Sequence, residues 1–499
     1  MRPLSKSRLL AFRQCQKRLW LDIHCPELRK DSSSTQASFS TGHQVGAMAR
    51  QLYAPLGQGT VIDGQAQGID AALASSQALL QAGRPIFEAG FRSEGALAFA
   101  DVLLPIKRTG GMGWRMVEVK SATSVKDYHR DDVAIQAHVS RAAGLALDTI
   151  ALAHIDSSWT YAGHGDYRGL LVEADLTQEA FSRDAQVRHW IADAQDVAAR
   201  PQAPDMTTGP HCHTPHECGF HAHCQSQEPQ ASHPIRWLPG RHSRALAQHI
   251  QQHGARDLRD IPDEHLSETQ LRVKTATLSG QTYFDRQGAA SALAGHTLPI
   301  WFLDFETVQF AVPVWGGTRP YQQIPFQFSI HRLSRSCTLS QDSFLDLSGH
   351  DPSFPFAEAL IAACGSHGPI FVYNASFEKS RIRELAQRFP RLAPALLALN
   401  ERIVDLHPVA HKHYYHPNQH GSWSIKHLLP AICPDLRYSA LDGVQDGAMA
   451  MTAFLEAIAP ASPPARKAEI QHQLLAYCAL DTYAMVRLWS TLSGRDISP

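Results

Sequence analysis

The chain has 499 residues, 44% of them hydrophobic and 19% charged, with a formal net charge of −1. These values predict two to four globular domains with buried cores, and near neutrality excludes a polycation that binds its partners through bulk charge alone. No apolar run approaches the length of a membrane span, and the opening "MRPLSKSRLLAFRQCQKRLW" lacks the apolar stretch and small-residue cleavage site of a secretory signal, which points to the cytoplasm.

In chain order, residues 1–30 come first and hold eight basic residues (Arg2, Lys6, Arg8, Arg13, Lys17, Arg18, Arg29, Lys30) against Asp22 and Glu27. They read as a solvated helix face or as a helix that contacts phosphates. "DSSSTQASFS" (31–40) predicts a loop. "GIDAALASSQALLQAG" is helix-like, and "RPIFEAGFRSEGALAFADVLLPI" reads as strands separated by turn signals. A hairpin turn at "KRTGGMG", a strand at "WRMVEVKSA", a helix over roughly 130–145, a strand at "TIALAHID" and a helix near 177–198 complete a mixed α/β unit. A Pro/His/Cys-rich patch fills 201–234, and 235–295 reads as a polar helical connector. A second α/β unit begins at 296, with strands at 298–306, near 324–332 and at 369–373, and a last helix over about 467–491. The expected division is therefore 1–230, 235–295 and 296–499.

Asp101 in "AFADVLLPI" faces "WRMVEVKSA", where Glu118 and Lys120 share one face of their strand. Asp101 and Glu118 offer oxygens to a hard divalent cation, and Lys120 can orient an attacking water or neutralise a phosphate. Cross-strand ion pairing is the structural alternative. The pattern resembles the RecB-type PD-(D/E)XK nucleases, a restriction-endonuclease-like fold. The resemblance implies Glu88 as an upstream acidic metal ligand and Gln136, in "DDVAIQAHVSRAAGL", as the residue of the following helix motif. In "TGHQVGAMA", Gly46 stands where the family's early helix often carries a metal-binding His after Gly42, and His43 is out of register.

Nine cysteines in a chain of this kind read as metal ligands or buried thiols rather than as a disulfide scaffold. "HCHTPHECGFHAHC" spaces Cys212, Cys218 and Cys224 six apart. A fourth ligand from His211, His213, His216, His221 or His223 would make a zinc site, and Cys15 would make a four-thiolate iron–sulfur site. "LSKSRLLAFRQCQKRLWL" resembles the start of the iron–sulfur branch of RecB-like nucleases, which implies a 4Fe-4S cluster on Cys15, Cys212, Cys218 and Cys224. Such a cluster would staple the N-terminal helix to the end of the domain. Cys25 is a competing ligand, and Cys337, Cys364, Cys433 and Cys478 read as small buried hydrophobes.

"LPIWFLDFETVQF" (298–310) sets Asp304 and Glu306 on the strand face of Ile300 and Phe302, opposite Trp301, Leu303 and Phe305. Burying two ionised carboxylates side by side calls for a cation, either a metal or a salt-bridging side chain. "GPIFVYNASFEKSRIREL" puts Asn374 at a strand–helix junction with Glu378 in the first helical turn. "RIVDLHPVA" leaves Asp405 at the end of an apolar segment. "HQLLAYCALDTYAMVRLW" places Tyr477 and Asp481 one helical turn apart. Carboxylates from these elements could gather around two divalent cations.

The set resembles the DEDD exonucleases of the RNase H-like fold, with "DFET" as the first motif, "NASFE" as the second and "YCALD" as the third motif of the tyrosine subclass. Glu378 departs from the family's Asp, and Asp405 is a reserve ligand. In "HKHYYHPNQHGSWSIKHLLP" (411–430), Tyr414, Tyr415 and Trp423 could stack on bases with Lys426 at a phosphate, or pack within their own loop. "VWGGTRPYQQIPFQFS" (314–329) is a further candidate wall of the same cleft.

The whole resembles a bacterial family that fuses an iron–sulfur RecB-like nuclease to a DEDD-type exonuclease-like domain. It implies cleavage of phosphodiesters, in DNA first of all, with Mg²⁺ or Mn²⁺ at two sites, in DNA processing, repair or defence. The alternatives are a nucleic-acid-binding scaffold with one or both sites inactive, and an RNA-processing exonuclease.

Overall fold

A computed structural model describes residues 3–55, 57–109 and 111–497. It is mixed α/β and divides into two compact units, Met1–Pro229 with Phe310–Gln322, and Gln230–Gln309 with Gln323–Pro499. No helix among the described residues is long and apolar enough to cross a membrane.

The first unit is built on a seven-stranded sheet. Strands β1 (Ile86–Ser93), β2 (Ala96–Arg108) and β3 (Gly111–Lys120) form an antiparallel meander, β4 (Leu147–Ile155) runs parallel to β3, and β5 (Leu171–Asp175) returns antiparallel. Thr60–Val61 flanks β1, and Leu4–Ser5 pairs parallel with Ala96–Leu97 of β2. The parallel step from β3 to β4 requires a crossover, supplied by a helix at Asp127–Ala142. That helix buries Val133, Ile135 and Val139 against Leu103, Met116 and Ile150. Helices α1 (Lys6–Gln14) and α2 (Gln16–His24) join the same core through Leu9, Phe12 and Leu19.

Residues 31–40, expected as a loop, begin helix α3 (Ser33–Tyr53) instead. Ser32 accepts from Thr35 N at 3.3 Å, satisfying one of the free amides at the helix start, and Val45 and Ala49 bury the far end. The crossover helix is α4. The expected helix near 177–198 is two, Thr177–Ser182 and α5 (Asp184–Ala199), broken at Arg183.

The second unit holds a five-stranded sheet. Its central strand, β6 (Ile300–Val308), pairs antiparallel with β7 (Ile324–Leu333), which pairs antiparallel with β8 (Leu339–Leu345). On the other side β9 (Ile370–Val372) lies parallel to β6, and β10 (Ile403–Asp405) parallel to β9. The expected alternation is present. Ile300 and Phe302 pack with Phe371, Met485 and Trp489, while Trp301, Leu303 and Phe305 pack with Phe356, Leu360 and Ile382.

The first of those faces is covered by the last helix, Pro464–Ser493. Its placement is fixed by polar contacts to β7: Gln327 Nε2 donates to Leu474 O at 2.8 Å, while Ser329 Oγ and His331 Nδ1 lie 2.9 and 2.8 Å from Thr482 Oγ1.

The stretch read as a connector folds within this unit. Val273, Ala276, Ala289 and Leu293 share the core of Ile300 and Phe302, and Ile235, Leu246 and Ile261 form a small satellite cluster. Residues 310–322, expected beside Asp304, belong to the first unit. There Gly317 N donates to Tyr161 O at 2.7 Å, Tyr161 N to Thr318 O at 2.9 Å, and Tyr167 Oη to Pro313 O at 3.0 Å.

Candidate metal centres

The first centre lies where β2, β3, α3 and α4 meet. Lys6, His43, Arg50, Glu88, Asp101, Glu118 and Lys120 line a cavity of ≈ 440 Å³. Asp101 Oδ2 accepts from Val119 N at 2.7 Å. Glu118 Oε1 takes Lys120 Nζ at 2.6 Å and Lys6 Nζ at 2.8 Å, and its Oε2 accepts from Gln136 Nε2 at 2.5 Å. Asp132, one turn before Gln136 on α4, receives Lys120 at 2.6 Å and Lys6 at 3.1 Å.

Burial and the charge of Glu118 push the Asp101 carboxyl well above its usual range. Burial would push Glu118 up as well, but Lys120 and Lys6 overcome it and hold that group well below the carboxylate range. Glu88 is raised by burial and then by Glu118, with Lys6, Arg50 and His43 acting against the rise. Glu88 also has a φ of 58°, a conformation that side chains other than Gly and Asn adopt at a cost and that recurs at functional sites.

His43, out of register in the sequence, is on the cavity wall together with Gly42 and Gly46, and a Cβ built on either glycine has no atom within 4 Å. Lys6 and Asp132 were not singled out as site residues from the sequence. Asp132 carried a usable signal, since it lies at i, i+4 with Gln136. Lys6 carried none beyond its place in a basic run. Other members of that run are engaged too: Arg13 pairs with Asp131 at 3.1 Å, and Lys17 and Arg18 line the cysteine pocket.

That pocket is walled by Cys15, Cys212, Cys218 and Cys224 together with His211 and His221. Cys25 packs against the neighbouring apolar cluster and is not on the wall. Burial raises the thiols of Cys15, Cys218 and Cys224, and neighbouring cysteines add to it. Among the described residues only Asp304, Glu306 and Asp481 bring three donor atoms within 4.8 Å of one another, a grouping that neither the four thiols nor Asp101, Glu118 and Glu88 make. Of the other cysteines, Cys364, Cys433 and Cys478 are buried as expected, whereas Cys337 is exposed at a turn.

The second centre sits on β6 under the last helix. Asp304 and Glu306 emerge from the strand face that this helix covers, and the helix delivers Asp481 to them, the three carboxylates meeting within 4.8 Å. Glu378 comes from the helix Ser376–Arg388 that follows β9. It is 2% exposed, and its Oε2 finds no hydrogen-bond partner among the described residues.

Burial, then Asp481, Glu306 and Glu378, push Asp304 well above the carboxylate range. Burial and Asp481 push Glu306 up to about 8, burial pushes Glu378 up to about 8, and burial pushes Asp481 up to about 6. Hydrogen bonds from Tyr438 and Tyr477 and the charge of Lys426 hold Asp481 back from a larger rise. Lys426 Nζ lies 5.5 Å from the ring centres of both tyrosines and donates to Gln445 O at 3.1 Å. Four oxygen-bearing acids, one of them with an orphaned buried oxygen, are the donor set that a hard divalent ion takes.

Tyr438 and Asp446, whose charge adds to the rise of Glu306, were not found from the sequence. Tyr438 sits in a single turn, Tyr438–Ala440, with no periodic pattern around it. Asp405, expected as a reserve ligand, is engaged by backbone amides, accepting from Asn374 N at 3.1 Å, Ala375 N at 3.0 Å and His407 N at 2.9 Å. It shapes the turn in which Asn374 takes a φ of 71°. Tyr414, Tyr415 and Trp423, offered as base-stacking residues, are core residues: Trp423 Nε1 donates to Tyr414 O at 2.8 Å and Tyr415 is fully buried.

The chain is thus a mixed α/β protein with two carboxylate-rich centres and a four-cysteine pocket. Residues 301–424 match the family model described as a domain of unknown function, DUF2779. The match takes in Asp304, Glu306, Glu378 and Asp405 and stops short of Tyr438, Tyr477 and Asp481. No curated protein matches the chain.

Proposed function

We propose that the protein is a divalent-metal-dependent nuclease with two centres, a PD-(D/E)XK-like one in the first unit and an RNase H-like, DEDD-type exonuclease centre in the second, acting on DNA in the cytoplasm. The convergence of Asp304, Glu306 and Asp481, with the orphaned Glu378 oxygen beside them, carries this reading. Each buried ionised carboxylate costs several kcal/mol without a partner, and Lys426 offsets only part of that. Mg²⁺ or Mn²⁺ bound at the two centres would polarise a phosphate and neutralise the charge that develops on cleavage.

In the second centre Asp304, Glu306, Asp481 and Glu378 serve as oxygen ligands. Tyr438 and Tyr477 fix the rotamer of Asp481 and keep it ionised, and Lys426 stands ready for a phosphate. In the first centre Asp101, Glu118 and Glu88 are the ligands, with Lys120 held beside them by Asp132 and Gln136 orienting Glu118. Four thiols on one pocket wall suit a 4Fe-4S cluster, and His211 and His221 beside them keep zinc as the alternative; either would tie α1 and α2 to residues 212–224. Saturation of Glu118 by Lys6, Lys120 and Gln136 favours a second reading, a nucleic-acid-binding scaffold whose first centre is inactive.

Cleavage of end-labelled single- and double-stranded DNA and RNA in Mg²⁺ or Mn²⁺ tests the proposal. Asp101→Asn/Lys120→Ala and Asp304→Asn/Glu306→Gln are each expected to lose one activity. Wild-type cleavage by both double variants overturns the assignments, and salt-sensitive DNA binding without turnover supports the scaffold.

A further inference from the structure

We propose that Lys6 is a working residue of the first centre: its ammonium holds Glu118 when no divalent ion is bound, yields that carboxylate to the ion, and stays in the cavity as a charge directed at a phosphate. Only the last part rests on the nuclease reading as a whole. The exchange of one cation for another rests only on the part of that reading that puts a divalent ion at Asp101 and Glu118.

The position of Lys6 is anomalous for a surface lysine. It is the first residue of α1, where the helix dipole disfavours a cation, and no acid follows it in the first turn. Two backbone devices bring it there. Leu4–Ser5 pairs with Ala96–Leu97 on β2, the strand that carries Asp101, and Ser5 then caps α1 by accepting from Arg8 N at 3.4 Å. The chain therefore enters the helix beside the acidic cavity, and the ammonium finds its counter-charge on Glu118 and Asp132 rather than in solvent.

The hydrogen bonds define a competition. Glu118 Oε1 carries two ammonium groups, Lys120 at 2.6 Å and Lys6 at 2.8 Å, while Oε2 is taken by Gln136. Like charges sharing one oxygen repel, and a divalent ion cannot join them without displacing one. Lys120 has the tighter hold, with Asp132 also at 2.6 Å, against 3.1 Å for Lys6. Lys6 is the group to leave, and it leaves into a cavity that it already lines together with His43 and Arg50.

The test uses the full chain with the second centre silenced by Asp304→Asn/Asp481→Asn, and calorimetric titration with Mn²⁺. Lys6→Met is expected to bind Mn²⁺ about tenfold more tightly than its parent, because a competing charge is gone, and to bind a single-stranded oligonucleotide in Ca²⁺ more weakly. Lys6→Arg keeps the charge and is expected within about twofold of the parent for Mn²⁺. Should Lys6→Met fail to fold, Lys6→Gln retains a donor for Glu118 without the charge, with the same tenfold gain expected. Unchanged or weakened Mn²⁺ binding in the neutral variant, or a gain in Lys6→Arg as large as in the neutral variant, overturns the proposal. A protein that cleaves no polymer yet shows the gain keeps the Lys6 exchange and loses the nuclease reading. A protein that cleaves without the gain does the reverse.

Discussion

Tyr438 donates its hydroxyl to Asp481 Oδ1 at 2.5 Å, across 43 residues of chain. Together with Tyr477 it keeps ionised a carboxylate that burial would otherwise hold protonated. Tyr438→Phe removes a hydrogen bond to a charged group, so divalent-ion affinity of the second centre should fall about tenfold near neutral pH. Tyr477→Phe, the weaker of the two, should cost less. Calorimetric Mn²⁺ titration of the two variants checks the order, and a larger loss in Tyr477→Phe contradicts it.

The raised carboxyls give the second unit a pH dependence of definite sign. Glu306 and Glu378 move from 4.5 to about 8 on folding, and Asp481 from 3.8 to about 6. Below the unfolded values both states hold the protons and nothing changes. Above them the folded state holds more, so stability falls as pH rises through that window. In EDTA, Glu306→Gln/Glu378→Gln should therefore show a shallower loss of thermal stability between about pH 4.5 and 8 than the wild type, and Mg²⁺ should remove most of the wild-type loss. Thermal melts across pH decide the matter, and equal slopes would falsify the account.

The cysteine pocket bears on the first unit alone. Cys218→Ser removes one of four thiols around a site that joins α1 and α2 to residues 212–224. Visible absorption and iron content should drop, the melting of the first unit should move down by several degrees, and the Mn²⁺ capacity of the second centre should stay intact. Zinc without iron in the wild-type protein would contradict the cluster assignment.

Much of the second centre was legible because its signals are local. Period-two alternation placed Asp304 and Glu306 on one face of an apolar strand, and a four-residue spacing placed Tyr477 and Asp481 on one side of a helix. Tyr438 was not legible, because a tyrosine in an irregular turn has no spacing that points to a partner 43 residues away. The serine-rich start of α3 read as a loop because serine side chains compete with helical hydrogen bonds in general. Only its cap and its buried far end reveal the helix. Lys6 was hidden for a different reason: one lysine in a basic run looks solvated until the strand pairing of Leu4 and Ser5 is known.

The aromatic stretch 411–430 shows how composition misleads. Tyr414, Tyr415 and Trp423 look like a stacking surface but fill the core beneath the sheet. Trp423→Ala should therefore lower stability by about 3–5 kcal/mol rather than weaken oligonucleotide binding selectively. Chemical denaturation of the variant, set beside its DNA affinity under folding conditions, separates the two outcomes. A stable protein with weakened DNA binding would restore the stacking role.

The central claim is that Asp304, Glu306 and Asp481 are gathered to hold divalent metal. Mn²⁺ binding stoichiometry, followed by electron paramagnetic resonance in wild type and in Asp304→Asn/Asp481→Asn, tests it most directly. The double variant is expected to lose the Mn²⁺ bound at the second centre while remaining folded and keeping the ion at the first. The same number of bound ions at the same affinity in both proteins would contradict it.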